Sequence, residues 1–206
     1  MQRSRAGSLV RFTGALVAAA AIAAPAAAVP ATVQTVELTV VRDPQNRFTI
    51  DVPSTWHVTT QAKNPAVEAK SPATTSQLPD SLDVTVYDWM AAISPQQCIS
   101  ESDMVLRFMI HTWTTVSEGP LAVGGQPAYG RVYDWMTANA EPRRSVEVCI
   151  THNNRVYVAV GTTENTSKKV AATIPLLQRA IATLQPNLAN VPAPRLPPTS
   201  HDQQGK

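Results

Sequence analysis

Two aspartates in an internal echo of the chain are the residues whose spacing is most suggestive of chemistry. The sequence VYDWM occurs twice and places Asp88 and Asp134 in the same local setting. Two carboxylates that meet in a cleft can carry general acid/base catalysis. The alternative interpretation is that both aspartates are solvated strand ends. A hydrolase-type activity therefore requires the two copies of the echo to converge.

The same echo supplies four aromatic side chains for a possible binding surface. In a strand, the tyrosine and tryptophan of each copy point away from the aspartate between them. If the two strands are neighbours, the four rings cluster into a patch for a ligand or a protein partner. The patch residues are Tyr87, Trp89, Tyr133 and Trp135. The alternative is that these side chains pack beneath a helix as core residues.

Histidines and serines add no catalytic pattern. The chain has four histidines, His57, His111, His152 and His201. None of them has a second metal ligand at a spacing typical of metal sites. His57 and His152 flank predicted strand ends and could meet, although solvated turn histidines are the commoner explanation. No G-x-S-x-G elbow occurs. We therefore predict no catalytic residue, no metal site and no cofactor.

The two cysteines are predicted to form a structural disulfide. Cys98 and Cys149 are the only cysteines in the chain, and two cysteines in an exported protein favour one bridge. The bridge would close a loop of about 50 residues and stabilise the fold by roughly 3 to 4 kcal/mol on the chain-entropy model. A metal or redox pair is the alternative, but it lacks the C-x-x-C spacing.

Residues 1–28 have the zones of a cleavable signal peptide. Arg3, Arg5 and Arg11 form a basic start, residues 14–24 are a short apolar run, and an A-x-A pattern ends at Ala28. The alanine-rich run is shorter than the ~20 strongly apolar residues of a membrane span. We therefore expect an exported protein, periplasmic or secreted, with no membrane span after cleavage.

Signal cleavage also changes the charge balance. The whole chain has 17 basic and 15 acidic residues. Because the signal contains three arginines and no acid, 14 basic and 15 acidic residues remain after cleavage. This near-neutral balance gives no support for a nucleic-acid partner. About 178 residues remain after cleavage, enough for one domain with a hydrophobic core. We expect this domain to be a monomer that contacts a protein or a small molecule.

Hydrophobic patterning predicts a mixed α+β domain at residues 36–185. It indicates a hairpin over residues 33–52, short strands near 57–61 and 66–70, and a strand over 82–89. Three more strands are predicted over residues 128–136, 144–151 and 155–162, with a tight turn at Asn153 and Asn154. Residues 71–80 are predicted to be an exposed loop. No element is predicted for residues 114–127, which contain the breakers Gly119-Pro120 and Gly124-Gly125.

Two helices complete the predicted domain. The first begins with Ser94 as cap, Pro95 at the first helical position and Gln97 completing a capping box, and it ends near Trp113. The second covers about residues 166–184, where Pro175 predicts a kink or a restart. Residues 29–35 are predicted to be flexible, and the proline-rich tail of residues 186–206 is predicted to be disordered.

Two segments of the chain resemble the PsbP-like superfamily. The segment from Phe48 to Trp56 matches its F-x-I-x-x-P-x-x-W opening, and GGQPA from residue 124 matches its G-G-x-x-A entry to a strand. With Tyr157 in a strand before the terminal helix, the likeness covers about residues 36–184. It implies an antiparallel sheet with a helix layer on each face, an α/β/α sandwich.

That fold would account for the strand around Cys149, both of whose faces carry residues to bury. The first helix is expected to cover the Cys149 face, where Cys98 can reach it. The last helix is expected to cover the face of Val146, Val148 and Ile150.

The resemblance implies a binding or assembly protein, because members of this superfamily share no catalytic motif. We therefore predict an exported, non-catalytic module that contacts a protein partner or a small ligand. One alternative is a carrier of a small apolar ligand, which a cavity between sheet and helix would mark. The second alternative is the hydrolase-type enzyme with a site that the sequence does not reveal.

Overall fold

A computed structural model describes residues 36–72, 78–110 and 112–190 of the chain. The predicted signal peptide, the predicted flexible segment at 29–35, His111 and residues 191–206 lie outside the described residues. The strands are β1 (Leu38–Arg42), β2 (Phe48–Pro53), β3 (His57–Thr60), β4 (Val67–Lys70), β5 (Ser81–Asp88), β6 (Trp113–Val123), β7 (Gln126–Met136), β8 (Pro142–His152), β9 (Arg155–Glu164) and β10 (Gln185–Pro186). The helices are α1 (Pro95–Met109) and α2 (Ser167–Ala182), and a 3₁₀ turn covers Leu188–Asn190.

The strands form two antiparallel sheets. The larger has seven strands in the order β3-β4-β5-β9-β8-β7-β6, and the smaller has three in the order β1-β2-β10. Every strand pair is antiparallel. The predicted α+β class with antiparallel sheets is therefore confirmed. None of the helices described is long and apolar enough to cross a membrane.

Helix α2 packs on the main hydrophobic core. Val146, Val148 and Ile150 of β8 belong to one buried cluster with Ile174 and Leu177 of α2. The approach is close at Gly161 of β9, where an added Cβ would lie 2.8 Å from the Leu177 Cδ2 atom. A glycine at this position in β9 therefore allows the helix to approach the sheet.

Helix α1 instead contacts the alternate side chains of β8. Cys98 of α1 is bonded to Cys149, and Ser102 Oγ donates to Glu147 Oε1 at 2.6 Å. In a strand these two β8 residues point to the face opposite Val146 and Val148. The predicted disulfide is thus present and joins α1 to the middle of the large sheet.

The predicted capping box is present at the start of α1. Ser94 Oγ accepts from the backbone N–H of Gln97 at 3.1 Å, and Gln97 Oε1 accepts from the Ser94 N–H at 2.8 Å. The helix ends at Met109, four residues before the predicted end, because the chain becomes extended at Ile110. Helix α2 runs through Pro175 without interruption, so the predicted restart does not occur. Pro175 lies on the exposed side of α2, where water can satisfy the carbonyl that loses its bond.

Strand β6 was not predicted from the sequence. Ten of its eleven residues lie in the interval in which no element was expected, and its first residue, Trp113, was the predicted end of the first helix. Gly119 and Pro120 interrupt its apolar alternation, and the register shifts between Thr115 and Ser117 as in a β-bulge. Such features are tolerated because β6 is the edge strand of the large sheet.

The domain extends a few residues beyond the predicted boundary at residue 185. Pro186 pairs with Phe48 of β2, and the Asn187 N–H donates to the Arg47 carbonyl at 2.7 Å. The chain from Gln185 to Asn190 is therefore part of the folded domain. The rest of the predicted tail lies outside the described residues.

Candidate functional site

An open groove of about 410 Å³ lies between the β6–β7 hairpin, β8 and helix α2. We call it the α2 groove. Its larger apolar lining residues come from both strands and helix and are Leu121, Val123, Val132, Val146, Val148 and Ile181, with Pro120, Ala122 and Ala182 beside them. Ser117, Glu118 and Gln178 are the polar residues of the lining. Glu118 pairs with Arg131 across the hairpin, so its side chain points to the same face of the sheet as the Arg131 side chain, beneath α1. A groove of this size with apolar walls and few polar groups is typical of small-molecule sites.

A pair of glycines helps to make the groove. Gly119 of β6 faces Gly130 of β7 across the hairpin, and both line the groove. A Cβ added at Gly119 would meet no atom within 4 Å, so this position is open space. Glycine weakens a strand interior and often marks a place where a ligand approaches the backbone. This signal was present in the sequence, but Gly119 was interpreted there as a loop breaker.

The sheet does not bring the four predicted patch aromatics together. The patch required β5 and β7 to be neighbours, but β9 and β8 lie between them. Tyr87 pairs with Val156 at one end of β9, whereas Tyr133 aligns through Ser145 with Thr162 near the other end. At about 3.4 Å per residue, these rows are about 20 Å apart along the strands. The condition for a single aromatic cluster is therefore not met.

Each pair of aromatics has its own environment. Tyr87 is 48% exposed, and Trp89 packs against the small apolar cluster around the disulfide. Tyr133 is 3% exposed, and burial raises its pKa to about 12, with Glu147 adding to the shift. Trp135 is half-buried and donates its indole N–H to Ser145 Oγ at 2.9 Å. Packing accounts for Trp89 and Tyr133, and Tyr87 remains the most exposed of the four.

The two echo aspartates are held in separate ion pairs. Asp88 accepts two hydrogen bonds from Arg155 at 2.6 and 2.9 Å. Asp134 accepts two from Arg144 at 2.6 and 2.7 Å. These bonds lower the pKa of both carboxyls. Each aspartate is therefore an ionised partner of an arginine rather than a poised acid.

The aspartates also lie at opposite ends of the large sheet. Asp88 pairs with Arg155, and Asp134 aligns through Arg144 with Thr163. Eight residues of β9 separate these rows, or about 27 Å. The convergence that the enzyme hypothesis required does not occur.

The predicted meeting of two histidines also fails. His57 aligns through Lys70 and Ser81 with Thr162 at one end of the sheet. His152 pairs with Arg155 at the other end. Across residues 36–72, 78–110 and 112–190, no three His, Cys, Asp or Glu side chains are grouped so that they could hold a metal ion. His201 lies outside these ranges.

A buried ionic cluster lies beneath α1. The Arg131 guanidinium, 3% exposed, donates to Glu147 at 2.8 and 2.6 Å and also to Asp103 of α1. Its Cζ atom lies 4.9 Å from the Trp113 ring centroid and 5.0 Å from that of Tyr133, distances typical of cation–π contacts. Burial opposes the charge, but Glu147 and Asp103 outweigh it and raise the pKa of Arg131. The ion pairs of this cluster link α1 to the sheet. Because Arg131, Glu147 and Asp103 are paired with one another, the cluster has a structural role.

Asp83 on β5 is an acid held in an unfavourable setting. Its Oδ1 atom is buried and has no hydrogen-bond partner. Burial raises the pKa of Asp83 to about 6, and the Glu68 carboxylate adds to the shift. The folded protein therefore retains this proton at pH values where the unfolded chain has released it.

We expect this proton to make stability depend on pH. Because the folded pKa lies above the unfolded value, the free energy of unfolding should fall as pH rises from about 4 to above 6, by roughly 2 to 3 kcal/mol from this group. Asp83→Asn should remove that loss in denaturant unfolding at pH 4 and pH 7.5. Glu68→Gln should reduce it, because one cause of the shift is removed. An identical pH dependence in wild type and Asp83→Asn would contradict this account.

Comparison with known proteins gives matches of structure alone. No protein-family model matches the sequence, and no curated protein matches it either. The solution structure of cyanobacterial PsbP (CyanoP) from Synechocystis matches 76% of this chain and 96% of its own, with a TM-score of 0.54 and 12% identity. The fold is PsbP-like.

Two further solved structures share the PsbP-like fold. The Ran-binding protein Mog1p of Saccharomyces cerevisiae matches 77% of this chain and 100% of its own, with a TM-score of 0.57 and 10% identity. LpqN of Mycobacterium tuberculosis, involved in cell envelope biogenesis, matches 73% of this chain and 91% of its own, with a TM-score of 0.51 and 13% identity. The PsbP-like resemblance found in the sequence is thus confirmed as a likeness of fold.

Proposed function

We propose that this chain is an exported, non-catalytic binding module that holds a small apolar ligand in the α2 groove. The observation that carries the proposal is the groove itself, an apolar hollow beside Gly119 and Gly130 with a few polar groups in its lining. A cavity between sheet and helix was the mark expected of an apolar-ligand carrier. The Cys98–Cys149 disulfide supports export, because such bonds persist in oxidising compartments.

The lack of convergence among the candidate catalytic groups supports a binding role. Asp88 and Asp134 each form an arginine pair, and they lie at opposite ends of the sheet. A fold shared with a Ran-binding protein is also consistent with binding. A shared fold does not imply a shared function. The groove is therefore the main support for the proposed binding role.

The edge strand favours a small molecule over an added peptide strand. An extended partner would bind β6 through main-chain hydrogen bonds. Pro120 has no N–H to donate, and the register shift after Thr115 disturbs the strand further. Both are features by which proteins protect exposed edges from strand addition. A small molecule in the groove would contact β6 at Gly119 and Leu121 and would not need these main-chain hydrogen bonds.

We expect Gly119→Val to weaken ligand binding in the groove by at least about tenfold. The new side chain enters the open space at Gly119, where a Cβ meets no atom within 4 Å, so it should occupy the groove without straining the fold. Binding is measured by the fluorescence of N-phenyl-1-naphthylamine, an uncharged apolar probe, on the mature protein.

The matched control for this experiment is Thr115→Ile. It enlarges an exposed side chain of the same strand at a residue that does not line the groove. Thr115→Ile should bind the probe like the wild type. If wild type fails to bind the probe, or if both variants bind it equally well, the α2 groove is not the ligand site.

The exposed side of α1 offers a surface for a protein partner that is separate from the α2 groove. Phe108 on α1 is 89% exposed, and Met104 and Val105 beside it are exposed as well. Contiguous exposed apolar side chains often mark protein contacts. From their contacts with alternate residues of β8, we infer that α1 and α2 cover opposite faces of the sheet. A monomeric module could therefore contact a protein through α1 while the α2 groove is occupied.

A further inference from the structure

The polar groups in the α2 groove restrict the chemistry of its ligand. Ser117 lies at the strand side of the groove, and Gln178 lies on α2, three residues before Ile181. Neither side chain is hydrogen-bonded to another residue in the part of the chain that the structure describes. Together they present hydroxyl and amide groups that can both donate and accept hydrogen bonds.

Among the described residues that line the groove, none is a free cation that could pair with an anionic ligand. Arg131 is the one basic residue in this part of the lining, and its guanidinium is bound to Glu147 and Asp103 beneath α1. Glu147 alternates with the groove-lining Val146 and Val148, so this cluster belongs to the other face of the sheet. A carboxylate or phosphate in the groove would lose its hydration without gaining a partner charge.

We propose that the ligand is an uncharged amphiphile whose polar head hydrogen-bonds to Gln178 and Ser117 while its apolar part lies on the valines of β7 and β8. This inference rests on the proposed function of the groove. The uncharged head follows from the neutral donors and acceptors of Ser117 and Gln178, from the occupied state of Arg131, and from the register that turns Glu118 to the face of Arg131. Long-chain carboxylates and phosphate esters are discriminated against by the same arrangement.

The test is displacement of N-phenyl-1-naphthylamine by two chains of equal length, octanamide and octanoate, at pH 7.5. We expect octanamide to displace the probe at a concentration at least about tenfold lower than octanoate. Gln178→Lys supplies a cation at the proposed head position and should improve displacement by octanoate by about tenfold while weakening that by octanamide. Ala172→Lys adds the same charge at an exposed position of α2 outside the groove lining and should leave the preference unchanged.

The outcomes separate this inference from the proposed function. Equal displacement by octanamide and octanoate would overturn the uncharged-head inference, and the groove would remain a ligand site. The inference also fails if Gln178→Lys and Ala172→Lys have the same effect, because Gln178 would then not contact the head. If the probe does not bind to the wild-type protein at all, the proposed function fails first.

Discussion

Glu147→Gln is expected to lower the free energy of unfolding by about 3 kcal/mol, the lower end of the range for a broken buried ion pair. Glu147 is 1% exposed and accepts two hydrogen bonds from Arg131 and one from Ser102. The variant leaves the buried guanidinium with one carboxylate, that of Asp103. Because Asp103 still supplies a negative charge, the loss should not reach the upper end of the range. Denaturant unfolding with the disulfide intact measures it.

The matched control is Asp134→Asn, which breaks an ion pair between the same two strands. Asp134 and Arg144 also form a two-bond pair, but their side chains are 31% and 23% exposed. The expected loss is under about 1 kcal/mol, as for most solvent-accessible pairs. The contrast isolates burial, since the chemistry and strand pairing are alike. Equal losses in the two variants would show that burial does not decide the importance of the Arg131 cluster.

Removing the disulfide is expected to lower stability by roughly 3 to 4 kcal/mol. The bond joins residues 51 positions apart and anchors α1 to β8. The apolar cluster that also holds α1 is small, with Cys98, Ile99, Cys149 and Val156 as its buried members. The double variant Cys98→Ala, Cys149→Ala should therefore lose hydrogen-exchange protection first in α1, while α2 keeps its protection until global unfolding.

The wild-type protein treated with a reductant serves as the control for this double variant. Its stability should fall to that of the variant, because both lack the same crosslink. A loss below 1 kcal/mol, or equal loosening of α1 and α2, would contradict the structural role assigned to the bond. A small loss of stability would mean that the ionic cluster around Arg131 is sufficient to hold α1.

Local signals in the sequence predicted most of the elements correctly. The capping box at Ser94 marks the first residue of α1 because its hydrogen bonds join residues only three apart. The turn at Asn153 and Asn154 and the alternation around it predict β8 and β9 for the same reason. The disulfide could be predicted because the chain has only two cysteines. The PsbP-like fold followed from the motif between Phe48 and Trp56 together with the element order.

Strand order could not be predicted from the same signals. The two VYDWM copies are alike in sequence, and nothing local to them indicates that β9 and β8 will lie between them. Pairing depends on contacts between distant parts of the chain, such as Tyr87 with Val156. The aromatic patch and the aspartate pair were therefore hypotheses about strand order as much as about chemistry.

By itself the sequence determined the helices, most of the strands and the disulfide partners, because each depends on neighbouring residues or on a count. The tertiary structure alone decided which side chains meet. It placed Gly119 opposite Gly130 and made an edge strand of a segment that contains a glycine and a proline. It also brought these two glycines and Ile181 of α2 to the walls of one groove. A groove is a gap between elements distant in sequence, so no local pattern of residues contains it.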